Sequence, residues 1–116
     1  MKKTKRITKK MLKKLERREI KKQFKAWALA VKERDEKKCV ICSRTTYIHA
    51  HHILPRELKL FRFEVLNGIT LCANHHKFST AISPHKNPLV FVNWFINNRT
   101  QQYINLYALW ISKGGL

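Results

Sequence analysis

Across the first 38 residues no Gly or Pro interrupts the chain, and Ile7, Met11, Leu15, Phe24, Trp27, Ala28 and Val31 recur near helical spacing among lysines and arginines. The pattern predicts one long helix or two abutting ones. Its first half has too little apolar surface to pack, so residues 1 to about 18 are expected to form a partly mobile basic arm, with docking from about Phe24 to Arg34. From Cys39 the texture changes to short apolar runs. A strand is expected at 45–50, a connecting loop with a turn of helix at 55–66, a turn at Asn67-Gly68, a second short strand at 69–71 and a helix at 74–82. Beyond Ser83-Pro84 and Asn87-Pro88, helices are expected at 88–98 and 100–112. Tyr103, Leu106, Tyr107 and Trp110 fall at i, i+3, i+4 and i+7 of the last one, the spacing of a core face rather than of a base-stacking platform. These elements predict an α+β chain in three parts: a basic helical arm (1–37), a chemical centre (38–84) and a C-terminal helical segment packed on it (85–116).

Charge sharpens this picture. The chain has 116 residues, 25 Lys plus Arg and 7 Asp plus Glu, a formal charge of +18. That length suits one compact domain with an arm and excludes a large multidomain enzyme. A hydrophobic content of 44% exceeds what a disordered polycation carries, so part of the chain folds around a core. Residues 1–38 hold 17 basic and 5 acidic residues (net +12), against 8 and 2 (net +6) in the rest. A polyanion near this arm releases counterions, which gives salt-dependent affinity with little sequence preference. Lysines wrap most of the helix instead of keeping to one face, which argues against a membrane surface. No long apolar run and no signal-type segment is present, so a soluble, cytoplasmic protein is expected.

The cysteines carry the first chemistry. Cys39-x-x-Cys42, 29 intervening residues and then Cys72-x-x-His75 form two knuckles able to close a tetrahedron around zinc. Three thiolates and one imidazole make a closed, structural site, and a body this small needs such a staple. Beside them stand His49, His51 and His52 at a strand end, and His76 directly after His75. Adjacent residues on a helix point about 100° apart, so His75 can face the zinc while His76 faces the strand. Both His51 and His52 are expected to turn toward one cleft before Pro55, creating a second metal site open to substrate.

The order Trp27, Val31, Arg34-Asp35, Cys39-x-x-Cys42, His51-His52-Ile53-x-Pro55, Asn67-Gly68-Ile69-Thr70-Leu71-Cys72-x-x-His75-His76 resembles the HNH endonucleases, in their small zinc-stapled ββα-metal form of phage and mobile elements. The resemblance implies a ββα-metal core with a structural zinc, in which His51 and His76 bind a catalytic Mg²⁺ or Mn²⁺. By the same resemblance His52 is the general base and Asn67 braces the loop that positions it. The chemistry needs such groups: a base takes a proton from the attacking water while a cation neutralises charge on the phosphate and leaving oxygen. Cleavage of DNA to a 5′-phosphate and a 3′-hydroxyl is the implied reaction, by a monomer or a homodimer.

The sequence departs from that pattern at Thr80, where many relatives carry a third ligand one helical turn on. Two imidazoles plus water then hold the cation, or His49 assists; His85 is expected merely to be exposed in its loop. Arg56, Arg62 and Lys77 are the candidates for gripping phosphate. The alternative reading is a non-catalytic zinc-stapled module that binds nucleic acid. It accounts for the cysteines and the charge but leaves the His51, His52, Asn67 and His76 set unexplained.

Overall fold

A computed structural model describes residues 6–115 of the chain. Helix α1 (Lys9–Arg34) opens it, with the Thr8 hydroxyl accepting from the Met11 N–H as its cap. The expected arm is thus helical from Lys9 onward, and its first five positions lie outside the described residues. Ile7, Met11 and Leu15 are exposed, so the apolar pattern of the arm meets no partner, whereas Trp27 and Val31 are buried. After Asp35 ends the helix, Glu36 and Lys37 take left-handed backbone angles and turn the chain into the first cysteine knuckle.

Strands β1 (Ile48–His52) and β2 (Gly68–Cys72) pair antiparallel, with Ile48 opposite Cys72 and His52 opposite Gly68. The strand expected at 45–50 begins later because Tyr47 sits at φ 52°, outside the β region. It runs on through His52 and ends before Pro55, which has no N–H to donate. Asn67-Gly68 is not a hairpin turn. Val65–Asn67 forms one 3₁₀ turn, and Gly68 begins β2 directly.

Strand β2 is buried along its whole length because both faces are covered. Gly68 and Thr70 face α1: a side chain at Gly68 would collide with Val31 and Trp27, and the Thr70 hydroxyl donates to the Val31 carbonyl. Ile69 and Leu71 face the other way, onto Phe91 and Phe95 of α2 (Pro88–Asn98). The helix expected at 74–82 is instead a single wide π-type turn, Asn74–Phe78, closed by the Ser79 N–H to the Asn74 carbonyl at 2.7 Å. Helices α2 and α3 (Thr100–Ser112) lie where the pattern predicts them. The expected core stripe of α3 is core along one edge only: Leu106 is buried, but Tyr107 is 53% exposed.

One buried carboxylate ties these parts together. Asp35 receives Arg34 at 2.8 Å, Arg99 at 2.8 Å and the Thr70 N–H at 3.0 Å, with its side chain 1% exposed. Burial raises its pKa, but hydrogen bonds and the two guanidinium charges outweigh that and leave it below the usual carboxylate value. Removing this acceptor strands a buried N–H and two cations. Asp35→Ala is therefore expected to cost about 3 kcal/mol, read as a lower urea midpoint for the zinc-loaded chain.

Candidate functional site

The two cysteine knuckles converge as the spacing predicts. The sulfurs of Cys39, Cys42 and Cys72 and a ring nitrogen of His75 all lie within 4.8 Å of one another. Cys42 Sγ is 3.8 Å from Cys72 Sγ, and His75 Nδ1 is 3.7 Å from Cys39 Sγ and 3.2 Å from Cys72 Sγ. Zinc–sulfur bonds of about 2.3 Å imply tetrahedral edges of about 3.8 Å. The three thiols are unpaired by disulfides, and the cluster fits a structural zinc site. For Cys72, burial pushes the thiol pKa up, but backbone N–H groups of His75 and Asn74 and the neighbouring thiols bring it below its ordinary value, toward the thiolate that a metal needs.

The π turn then separates its two histidines. His75 points to the sulfurs, and His76 points to β1, where its Nε2 lies 3.1 Å from His51 Nδ1. His85, from the loop between Ser83 and Asn87, brings its Nε2 to 3.0 Å from His76 Nε2. The three imidazoles form a second group able to hold a cation. Metal–nitrogen bonds of about 2.1 Å at right angles place neighbouring donors about 3.0 Å apart, which matches both separations. Burial, reinforced by the other imidazoles and nearby cations, pushes His51 down to about 3 and His76 down to about 4, so both are neutral and offer lone pairs at pH 7.

Strand alternation sends His52 to the opposite face from His51. Its ring stacks on Trp27 (3.8 Å between centroids, 8° between planes), meets the edge of Phe24, and has Nε2 2.9 Å from the Arg62 carbonyl. At the strand end, however, both residues border one largely apolar cleft of about 530 Å³ beneath α2 and α3. Buried Asn67 ties the intervening loop: its oxygen accepts from the Leu54 N–H, and its amide nitrogen donates to the Leu54 and Phe61 carbonyls. Leu54 and Phe61 are bound by one side chain, so the carbonyl of the next residue, Arg62, is held against His52.

A family model described as HNH endonuclease matches residues 39–79, the stretch that contains both knuckles, the hairpin and the π turn. Residues 39–79 are thus similar to the HNH endonuclease family. The match covers about a third of the chain, and no curated protein and no solved structure matches it. The mixed helical fold around a two-stranded sheet, with its cysteine–histidine cluster, is that of a small ββα-metal HNH domain.

Within this HNH domain the remaining candidates fall unevenly. Thr80 is exposed and supplies no imidazole, while His49 reaches only within 5.7 Å of the His76 ring centre. The third imidazole comes from His85, nine residues after His76 and past the segment that the family model matches. An exposed loop histidine with no helical spacing to its partners gave no signal in the sequence. Arg56 and Arg62 both lie over the Phe24 ring, at 5.4 and 5.7 Å, and Lys77 is exposed next to His76. Phe24 and Trp27, expected only to dock the helix, are the platform on which His52 and the two arginines rest.

Two outcomes test these centres. Stripping zinc with a strong chelator at pH 7 is expected to collapse the dispersed amide signals of β1 and β2, and Cys42→Ser, at an exposed position, to lower zinc content. Because His51 and His76 refuse protons that the unfolded chain takes up below about 6.5, their contribution to stability is whole above that pH and falls as pH drops toward 4. The thermal midpoint of the zinc-loaded chain should therefore decline from pH 7 to 5, and decline less in a His51→Gln/His76→Gln variant.

Proposed function

We propose that the chain is a metal-dependent HNH endonuclease that hydrolyses DNA phosphodiester bonds, with His52 as general base. The observation that carries this reading is the convergence of His51, His76 and His85, of which His51 and His85 line a cleft that His52 also borders. In this reading the arm (1–37) collects the substrate, 38–84 forms the chemical core and 85–116 closes over it. His51, His76 and His85 would hold one divalent cation, which when bound offers positive charge to the phosphate and leaving oxygen. Magnesium or manganese would need waters or substrate oxygens as further ligands, whereas three imidazoles suit zinc or nickel better.

The chain's own residues account for the proton. A carbonyl only accepts, so the His52 nitrogen that faces Arg62 carries the hydrogen, and the lone pair of the neutral ring resides on Nδ1. Burial and the Arg56 charge hold the pKa of His52 below its ordinary value, despite the opposing effects of the Arg62 carbonyl and Glu57, so the ring is a free acceptor near pH 7. Once it takes a proton from water, the imidazolium is stabilised by the Trp27 face against which it is stacked and by the Arg62 carbonyl. Asn67 acts through the loop, as a positioning residue.

Supercoiled plasmid incubated with the zinc-loaded chain and, in turn, Mg²⁺, Mn²⁺, Ni²⁺ and Zn²⁺ tests the reading. Nicking by the wild type is expected to fall at least about 100-fold in His52→Ala, with zinc content and DNA binding retained. Equal activity in the two proteins would remove His52 from the chemistry. Absence of cleavage with every ion would favour the binding module instead.

A further inference from the structure

A second groove, of about 520 Å³, runs where α1 crosses β1, and Arg17, Lys21, Phe24, Trp27, His52 and Arg56 are among the residues that line it. Two observations single it out. Its lining holds three cations and no carboxylate, and among the described residues neither Arg17 nor Lys21 has an acidic partner. Second, the groove ends on His52, the residue that also borders the cleft beside the three imidazoles, so the two depressions meet at one side chain.

We propose that this groove is the track for the phosphate backbone of the substrate strand, with Arg17 and Lys21 of α1 gripping phosphates upstream of the site and Arg56 the phosphate nearest His52. This rests on the nuclease reading above and deepens it. The long helix then becomes one wall of the active groove and not a diffuse polycation. Arg17 and Lys21 stand one turn apart on the same face, whereas Arg18 and Lys22, also one turn apart and equally charged, point about 100° away from them. A diffuse attraction cannot tell these pairs apart, but a groove can.

The test compares Arg17→Ala/Lys21→Ala with Arg18→Ala/Lys22→Ala, all at exposed helical positions where alanine preserves the helix. Binding of a fluorescein-labelled 20-base-pair duplex to the zinc-loaded chain is followed by anisotropy from 50 to 300 mM NaCl with no added magnesium or manganese. The groove pair is expected to lose about 10-fold in affinity at 100 mM salt and to reduce the slope of log K against log salt by about 2, one unit for each phosphate contact. The control pair should lose under about 3-fold. Equal losses in both pairs, or none in the groove pair, would overturn the proposal. Plasmid cleavage by the same proteins separates the two readings. Preferential loss of binding by the groove pair without cleavage by any protein keeps the groove and removes the nuclease. Cleavage that falls equally in both pairs keeps the nuclease and removes the groove.

Discussion

Neighbouring side chains on a β-strand face opposite ways, and the rest of this molecule is arranged around what that rule does to His51 and His52. On one face, His51 needs partners that supply imidazoles, and these arrive from the π turn and from the loop before α2. On the other face, His52 needs a flat, apolar support, which α1 supplies through Trp27 and Phe24. Gly68, directly across the sheet from His52, lets that helix approach closely enough to stack. A one-residue slip in register would exchange the two environments and destroy both.

A core of this size holds that arrangement only with help. The buried apolar cluster centres on Ile69, Leu71, Phe91 and Phe95, and Cys39 and Cys72 belong to it as much as to the zinc cluster. The thiol group of Cys72 and the ring of His76 leave the chain within four residues of each other, so the structural cluster and the imidazole trio share one short segment. Widening that segment into a π turn lets adjacent His75 and His76 serve different centres.

Much of this was legible in the chain. Helices α2 and α3 follow from Asn87-Pro88 as a cap with proline at the first helical position, and from an apolar period that local chemistry alone decides. The cysteine knuckles were equally plain, because ligand spacing is a local property. The bounds of the first strand were less plain: the expected 45–50 stops short of His51 and His52, and the left-handed Tyr47 that shifts its start has no signature in the residue itself. His85 was missed because its position depends on how the 79–87 loop folds back, through Ser83 and the Asn87 side chain bonding to Thr80 and Ala81. The supporting role of Phe24 likewise depends on where a distant helix crosses the sheet.

The carboxylate at Asp35 joins segments far apart in the chain. It ends α1, holds the backbone of β2 and grips Arg99 at the start of α3, while Gln102 one turn on donates to the Leu66 and Gly68 carbonyls. A fragment trimmed to residues 39–79 would keep the sulfurs and five of the six histidines, yet lose Trp27, His85, Arg99 and Gln102 together. The ligand-bearing segment is thus chemically rich but not self-supporting, and both flanks of the chain are the scaffold on which its hairpin depends.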